Sequence, residues 1–240
     1  LTVNGNGLED ALPNRPGWGQ VGYYAAPDVR QFGDHYNMYF TATPNGSQFG
    51  VNNCIGVATS PNGHNFNPEP GSMLCGEVWD PDVEFVIFQP VMLYSGIRGS
   101  THEIRSVRLS ADGKTVTSGA SVLLTDANTT IENPTTIYDS VKNQWILLYS
   151  SGDWKGGGYT TRMATCSFGL DQPCTPTSGG SMPFNNAAGM TGTGGLDVFG
   201  GANNSDHAVF HYWQPGEYFD QNNPNRFLRR TGKADPVVTQ

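Results

Sequence analysis

The stretch Ile131-Glu132-Asn133-Pro134 is one of three acidic motifs that recur along this chain at a nearly constant spacing. The earlier two are Ala26-Pro27-Asp28-Val29 and Asp80-Pro81-Asp82-Val83, with 54 residues from Asp28 to Asp82 and 50 from Asp82 to Glu132. An apolar, aromatic-rich run follows each motif, and a fourth run follows Gly195-Leu196-Asp197-Val198. Strand-rich repeats of this length are typical of the blades of a β-propeller. The sequence therefore predicts an all-β propeller whose carboxylates gather around one central axis. The four runs are Met38-Tyr39-Phe40, Val91-Met92-Leu93-Tyr94, Trp145-Ile146-Leu147-Leu148-Tyr149 and Ala208-Val209-Phe210-His211-Tyr212-Trp213.

The composition agrees with one large all-β domain. The 240 residues include 31 Gly and 16 Pro, only 14% of them are charged, and no segment has a sustained 3.6-residue apolar period. A net charge of −8 leaves no basic patch for nucleic acid or for an anionic membrane surface. No run approaches 18 apolar residues, so no transmembrane span is predicted. The chain shows no signal peptide and does not begin with Met, and we expect a mature or trimmed secreted protein.

The four cysteines also point to a secreted protein. They allow three disulfide connectivities, and the repeat geometry favours Cys54–Cys75 and Cys166–Cys174 because each pair stays within one blade. Zinc is the competing interpretation, but no CxxC or paired Cys/His spacing supports it. Three N-glycosylation sequons, which begin at Asn45, Asn128 and Asn203, fit a secreted glycoprotein.

We predict a lead-in segment over residues 1–22 and a single propeller domain over residues 23–240. The predicted blades begin near Tyr23, Val78, Thr130 and Met190. In blade one the predicted strands are Ala26–Phe32, Tyr36–Thr43, Cys54–Ser60 and a short strand near Phe66. In blade two they are Val83–Phe88, Val91–Ser95, Ile104–Leu109 and a strand directly after the Asp112-Gly113 turn, and in blade three they are Thr135–Tyr138, Trp145–Ser150, Tyr159–Thr165 and an outer strand that bears Cys174. In blade four they are Leu196–Phe199, His207–Tyr212, Arg226–Thr231 and Val237–Val238.

Several short motifs, which occur in a fixed order from about Glu9 to Val238, carry a resemblance to a known family. They are Asp10-Ala11-Leu12-Pro13 with Ala26-Pro27-Asp28-Val29, Cys54-Ile55-Gly56-Val57-Ala58-Thr59-Ser60, Asp80-Pro81, Ile131-Glu132-Asn133-Pro134, and Gly194-Gly195-Leu196-Asp197-Val198 with Val209-Phe210-His211. Together they resemble the fungal-type family 43 glycoside hydrolases, a group of arabinanases, arabinofuranosidases, xylosidases and galactanases. The resemblance implies a five-bladed propeller, about four blades of which are visible here, and inverting hydrolysis of arabinose- or xylose-containing plant polysaccharides.

The resemblance assigns roles to four residues. Glu132 matches the general acid, and Asp80 matches the Asp that tunes the pKa of the acid and orients the sugar. Arg226 matches a late Arg near the sugar, and His211 matches a His that lines the axial pocket or its metal. No cofactor is required, although the resemblance leaves room for an axial calcium or other ion.

The chain departs from the family pattern at the general base. That base is an Asp in the first blade, upstream of Asp10-Ala11-Leu12-Pro13, and this chain begins only eight residues before Glu9. We expect either a chain trimmed of its first blade or a propeller that lost the base, unless another carboxylate such as Asp10 replaces it. Asn133 also stands where the family usually has Ala, and Val78-Trp79 stands where the family usually has small residues before the Asp that Asp80 matches.

The chemistry itself requires two carboxyl groups on opposite sides of the scissile bond. Glu132 can serve as the acid if a nearby ionised Asp80 raises its pKa by like-charge repulsion. The competing interpretations are structural: Glu132 accepts hydrogen bonds from loop amides, and Asp80 forms a turn before Pro81. Asp82, two residues further along the chain, is the alternative to Asp80 for the role of modulator.

Asp28, Tyr24 and Trp154 are the remaining predicted sugar contacts, and Trp154 is the strongest candidate for stacking on a sugar face. The expected partner is an oligo- or polysaccharide, bound by a monomer. A lectin-like propeller that binds carbohydrate without a base is the rival hypothesis. A secreted defence protein, for which sugar is incidental, is a third.

Overall fold

The computed structural model describes residues 2–4, 7–48, 51–181, 189–200, 206–223 and 229–234, and this part of the chain is built from strands without a helix. It accordingly contains no helix that is long and apolar enough to cross a membrane. The strands are β1 Thr2–Asn4, β2 Gly7–Glu9, β3 Gly19–Phe32, β4 His35–Pro44, β5 Cys54–Ser60, β6 Asn67–Pro68, β7 Leu74–Cys75, β8 Val78–Val86, β9 Gln89–Arg98, β10 Thr101–Arg108, β11 Ser121–Asp126, β12 Ile131–Asp139, β13 Gln144–Ser151, β14 Thr160–Cys166, β15 Thr175–Ser181, β16 Thr191–Gly200, β17 Asp206–Trp213 and β18 Arg230–Ala234.

The strands form four sheets in which hydrogen-bonded neighbours follow one another along the chain. Blade one is β3-β4-β5-β6, with β7 also paired to β5, and blade two is β8-β9-β10-β11. Blade three is β12-β13-β14-β15, and blade four comprises β16-β17-β18. A separate hairpin joins β1 to β2. Sequential strands from one repeat of the sequence form each blade, as the repeats predicted.

The chain packs as two compact units, one of residues 1–97 with 105–120 and the other of residues 98–104 with 121–240. In the first unit, successive residues of β4 point to opposite faces of blade one, and both faces are buried. Tyr39 joins a core with Val83 and Met92 of blade two, whereas Phe40 joins a second core with Leu12 and Phe66.

The second unit contains all of blades three and four. Its apolar core joins Ile146 and Leu148 of β13 to Leu196 of β16 and Phe210 of β17. Ile146 and Leu148 lie two residues apart on β13 and therefore point to the same face of the sheet, and Leu147 between them is buried on the opposite face.

Both predicted disulfides are present. Cys54 on β5 lies directly opposite Cys75 on β7, with 4.1 Å between their Cα atoms. Cys166 at the end of β14 bonds to Cys174, eight residues later. The pairing within blades is therefore confirmed, and it uses all four sulfur atoms that a zinc site would have needed.

The outer strand of blade two differs from the prediction. We expected it directly after the Asp112-Gly113 turn, but it is β11, and residues after the turn form only an isolated bridge between Leu109 and Val116. The turn packs on blade one instead: Asn37 Nδ2 donates to the Asp112 carbonyl at 2.8 Å and Tyr39 Oη donates to the Gly113 carbonyl at 2.9 Å. The predicted turn is therefore present, and these contacts hold it against blade one.

Two smaller differences concern strand ends. In blade three, β15 begins one residue after Cys174, which therefore precedes the strand. In blade four, the last strand is β18, and the predicted segments at 226–228 and 237–238 lie outside the described residues, as does the sequon at Asn203. The division of the chain at residue 22, and glycosylation at Asn45 and Asn128, stay predictions.

Candidate active site

Each of the four blades carries a one-residue β-bulge in its first strand. In blade three, Glu132 pairs with Ser150 and Thr135 pairs with Leu148, so that β12 advances by three residues while β13 advances by two. The same shift occurs between Ala25 and Asp28, between Trp79 and Asp82, and between Gly194 and Asp197. Bulges of this kind redirect side chains and occur frequently next to active sites. The residue with positive φ in each bulge is Ala26, Asp80, Asn133 or Gly195, at 48°, 53°, 55° and 59°.

The bulges correct the register of the acidic repeat. Asp28 and Asp82 occupy the same position, two residues after the left-handed residue, and Thr135 occupies that position in blade three. Glu132, which the spacing aligned with Asp82, instead precedes the left-handed residue and corresponds to Trp79 in blade two. A difference of this size is invisible in a spacing of about 50 residues because the loops between blades vary in length.

Asp28 and Asp82 lie in a buried ionic cluster of the first unit. Asp28 is 8% exposed and its Oδ2 accepts a hydrogen bond from Val83 N at 2.8 Å. Arg30 pairs with both carboxylates, at 3.5 Å to Asp28 and 3.0 Å to Asp82, and its Nε also donates to the Val83 carbonyl. The contacts hold β3 against β8. Asp28 therefore has a structural role in the first unit, and its predicted contact with sugar stays a prediction.

Asp80 is half-buried, and its backbone is anchored by β4. Its N–H donates to Thr41 Oγ1 at 3.0 Å, and Thr41 is fully buried. Asp is one of the few residues other than Gly that tolerates the left-handed conformation, so the residue type suits the bulge whatever its chemistry. Its predicted role as modulator of the acid stays a prediction.

Tyr24 packs at the edge of the blade-one core. Its ring centroid lies 5.9 Å from that of Phe40, and the Arg15 guanidinium stands 4.8 Å from the ring centroid on its face. Burial raises the pKa of Tyr24, an effect opposed by Arg15. The contacts describe a packing role, and the predicted sugar contact remains untested by them.

Glu132, in the second unit, accepts a hydrogen bond from a buried tyrosine. Tyr159, which directly precedes β14 and is 4% exposed, donates its hydroxyl to Glu132 Oε1 at 2.8 Å. The guanidinium of Arg229 stands 5.0 Å from the centroid of the Tyr159 ring and 5.4 Å from that of Trp213. Burial lowers the pKa of Arg229, and the charges of Tyr159 and Glu132 oppose that shift. Glu132 therefore lies in the field of a desolvated cation.

Arg229 is held in place by four hydrogen bonds. Nη1 donates to the Trp154 carbonyl and Nη2 to the Gly192 carbonyl, both at 2.7 Å. Nη2 also donates to the His211 carbonyl at 3.1 Å, and Nε donates to His211 Nδ1 at 3.2 Å. Since arginine has no acceptor, Nδ1 must be the acceptor and a neutral His211 carries its proton on Nε2. Desolvation and the charge of Arg229 lower the pKa of His211 to about 4, although the residue as a whole is exposed.

Arg229 was not predicted from the sequence. The family's late arginine was assigned by order along the chain to Arg226, which lies outside the described residues. The sequence feature that could have indicated an arginine at the site is a cluster of cations, since Arg226, Arg229 and Arg230 fall within five residues. Only the contacts with Tyr159 and His211 distinguish Arg229 from its neighbours.

A pair of glycines in the β16 bulge makes room for the two rings of this site. A Cβ on Gly194 would lie within 3.0 Å of Tyr159 ring atoms, and a Cβ on Gly195 within 3.0 Å of His211 ring atoms. Ser150 Oγ accepts a hydrogen bond from Gly195 N at 2.8 Å and so ties the bulge to β13. The Gly-Gly pair therefore fits the site because neither ring leaves space for a side chain.

Trp154 presents its ring to solvent beside this cluster. It is 40% exposed, its ring centroid lies 5.1 Å from that of Phe219, and Lys155 Nζ stands 5.9 Å from the Trp154 centroid. Its carbonyl accepts from Trp213 Nε1 at 2.8 Å as well as from Arg229. An exposed indole on an anchored backbone suits stacking against a sugar face.

The structure thus links three of the predicted site residues, Glu132, His211 and Trp154, through Arg229 and Tyr159. The other described candidates, Asp28, Tyr24 and Asp80, belong to the first unit. Among the residues that the structure describes, no group of three or more His, Cys, Asp or Glu side chains is arranged to hold a metal ion, and the axial ion stays a prediction.

No family model and no curated protein matches the sequence. Solved structures do match it. A thermostable family-43 glycoside hydrolase superimposes with a TM-score of 0.74 at 18% identity, covering 98% of this chain and 82% of that one. The α-L-arabinanase of Cellvibrio cellulosa gives 0.72 at 16% identity, with 94% and 79% covered. The endo-arabinase of Bacteroides thetaiotaomicron VPI-5482 gives 0.70 at 18% identity, with 93% and 78% covered.

These matches identify the fold class. The chain has the all-β propeller fold of the family 43 glycoside hydrolases, with four blades among its described strands. The predicted fold is therefore confirmed. At identities this low the likeness concerns the fold alone, so the fungal type and the absence of a first blade stay predictions.

Proposed function

We propose that this protein is a glycoside hydrolase with Glu132 as its general acid. The observation that carries the proposal is the environment of Glu132: a half-buried carboxyl group at a bulge, bonded to the hydroxyl of Tyr159 and facing the desolvated guanidinium of Arg229. A carboxyl group gathered with an arginine, a histidine and an exposed indole is what cleavage of a glycosidic bond uses for protonation and sugar binding. The shared fold with glycoside hydrolases supports the same class.

In the proposed reaction, Glu132 transfers its proton to the glycosidic oxygen as the bond to the anomeric carbon breaks. A second carboxylate removes a proton from the water that attacks the opposite face, which gives inversion. Asp80 is the proposed modulator of the acid. Arg229 and the Nε2–H of His211 are proposed hydrogen-bond donors to sugar hydroxyls.

The proposed reaction needs a second carboxylate as general base. Asp10, near the start of the chain, is the carboxylate that was predicted as a replacement for this base. Its Oδ1 accepts from Leu12 N at 3.0 Å and its Oδ2 pairs with Arg15 at 2.5 Å, contacts that shape a local turn. We therefore expect Asp10→Asn to leave hydrolysis unchanged, in which case the base is another carboxylate.

The proposed substrates are arabinose- or xylose-containing plant polysaccharides. The proteins of similar fold include an α-L-arabinanase and an endo-1,4-β-xylanase, whose names describe action on these polymers. Two disulfides fit a secreted protein, since such bonds persist in oxidising compartments. We propose a secreted monomer that acts on polysaccharide outside the cell.

Incubation with arabinan, arabinoxylan, xylan and galactan oligosaccharides tests this function. The wild-type chain should release sugar, Glu132→Gln should reduce the release by about a hundredfold or more, and the matched control Glu84→Gln should retain it. Glu84 lies on β8 and its Oε1 accepts only a local hydrogen bond from Phe85 N. NMR of the first product should show the inverted anomer.

The outcomes separate the rival hypothesis. If the protein binds oligosaccharides in titration but hydrolyses none of them, the proposed enzymatic function is wrong and a lectin-like propeller is favoured. Release that survives in Glu132→Gln would leave a hydrolase but remove Glu132 from the role of acid.

A further inference from the structure

We propose that Tyr159 is a positioning residue for the general acid and determines which oxygen of Glu132 carries the transferred proton. The inference rests on the proposed function. It begins with the hydrogen bond from Tyr159 Oη to Glu132 Oε1, at 2.8 Å. No motif in the sequence singles out this tyrosine.

The surroundings of Tyr159 prevent its ring from moving. The residue is 4% exposed, Arg229 lies over the ring at 5.0 Å, and the backbone of Gly194 lies so close to the ring edge that a Cβ there would overlap it. Arg229 is itself bonded to the carbonyls of Trp154 and Gly192. A ring enclosed by anchored groups keeps its hydroxyl aimed at Glu132, which is the preorganisation that catalytic groups require.

The hydrogen bond distinguishes the two carboxyl oxygens. A phenol has one proton to donate, and while Tyr159 donates it to Oε1 the proton of the carboxylic acid resides on Oε2. During the reaction this proton passes from Oε2 to the glycosidic oxygen, the bond between that oxygen and the anomeric carbon breaks, and Glu132 is left as a carboxylate. The hydrogen bond from Tyr159 then has an ionised acceptor.

This change makes the hydrogen bond stronger as the proton leaves. Hydrogen bonds to ionised groups are roughly twice as strong as neutral ones, so Tyr159 stabilises the transition state more than the ground state. Such an interaction raises kcat without changing substrate binding. A variant without the hydroxyl loses only this difference between the charged and the neutral hydrogen bond, which corresponds to about a 5- to 15-fold lower kcat.

The dependence on the leaving group provides the test, since only a poor leaving group needs a proton. We would compare the wild-type full chain with Tyr159→Phe on two substrates: the oligosaccharide that the wild type cleaves best, and the nitrophenyl glycoside of the same sugar. Tyr159→Phe should lower kcat about 5- to 15-fold on the oligosaccharide and less than about threefold on the nitrophenyl glycoside, with KM unchanged.

Two further variants complete the design. Tyr149→Phe removes a hydroxyl from another buried tyrosine of blade three and should retain both activities. Combining Tyr159→Phe with Glu132→Gln should be no worse than Glu132→Gln alone, because Tyr159 acts through Glu132. A purely structural tyrosine would instead lower both activities equally and add its defect to that of Glu132→Gln.

The result also distinguishes the two proposals. Equal losses on the two substrates would overturn the role of Tyr159 and leave the hydrolase intact. A wild-type chain that cleaves neither substrate would overturn the proposed function, and the role of Tyr159 with it.

Discussion

Replacing Gly194 by alanine tests the architecture of the site directly. Gly194 lies in the β16 bulge, and a Cβ there would stand within 3.0 Å of Tyr159 Cε1 and Cδ1 and at 3.0 Å from Ser150 Oγ. Ordinary contact needs 3.4–4 Å, so the tyrosine ring must recede. Since Tyr159 is buried and covered by Arg229, it can recede only by displacing other atoms of the site.

Two costs follow from this overlap. Overpacking a well-packed region typically costs about 1–3 kcal/mol, and loss of the hydrogen bond from Tyr159 to Glu132 adds about 1.5–3 kcal/mol if the carboxylate is charged. We therefore expect Gly194→Ala to lower the free energy of unfolding by roughly 3 kcal/mol, and the Tm by about 6–12 °C for a chain of this size. Hydrolysis should fall at least as far as in Tyr159→Phe.

The measurements are thermal and urea unfolding followed by circular dichroism, together with the oligosaccharide assay. Gly200→Ala is the matched control, because Gly200 lies on the same strand and a Cβ there has nothing within 4 Å. It should change stability by less than about 0.5 kcal/mol. Adding Tyr159→Ala to Gly194→Ala should remove the overlap, so that the double variant is more stable than the sum of the single variants predicts.

Equal Tm values for Gly194→Ala and Gly200→Ala would refute this reasoning. So would additive effects in the double variant, since they would mean that the methyl group and the ring do not compete for the same space.

Three further predictions concern pH, the ionic cluster and sugar binding. The unfolded chain protonates His211 near pH 6.5 and the folded chain only near pH 4, so the unfolded state binds more protons between these values and stability should fall as the pH drops through them. After discounting for the exposure of the residue, we expect the free energy of unfolding, measured with urea, to fall by roughly 1–2 kcal/mol. If a His211→Asn variant showed the same fall, His211 would not be the group responsible. Arg30→Leu leaves the carboxylates of Asp28 and Asp82 buried without their cation and should cost about 3–5 kcal/mol of stability, whereas a loss below about 1 kcal/mol would mean that the cluster does not brace the strands. Trp154→Ala should raise KM for oligosaccharides by roughly two- to tenfold with kcat preserved, and an unchanged KM would exclude stacking.

The repeated bulge explains why acidic residues recur along the chain. The first strand of each blade contains a left-handed residue at its bulge, and Pro follows that residue in three blades, at Pro27, Pro81 and Pro134. Two residues later the side chain of Asp28 or Asp82 accepts contacts within the first unit. Part of the acidic pattern therefore reflects the construction of the blades, and Glu132 is distinct because it precedes the bulge residue of its own blade.

The predicted strands were most accurate where apolar residues form a short continuous run that is buried on both faces. β5 begins and ends at the predicted residues Cys54 and Ser60, and β13 extends the predicted range by one residue at each end. The outer strand of blade two was misplaced because the turn at Gly113 is held by Tyr39 and Asn37 of blade one. Turn composition cannot reveal that a distant strand binds the turn.

The amino-acid sequence was sufficient for the strand-rich class, the four repeats and both disulfides. These features depend on short apolar runs, on repeat spacing and on cysteine spacing, which can be read from the chain without its fold. The register at each bulge, the position of Arg229 and the partnership of Tyr159 with Glu132 emerged only from the folded chain. Each depends on how strands pair across many residues, and a single extra residue in one strand reverses the direction of every side chain beyond it.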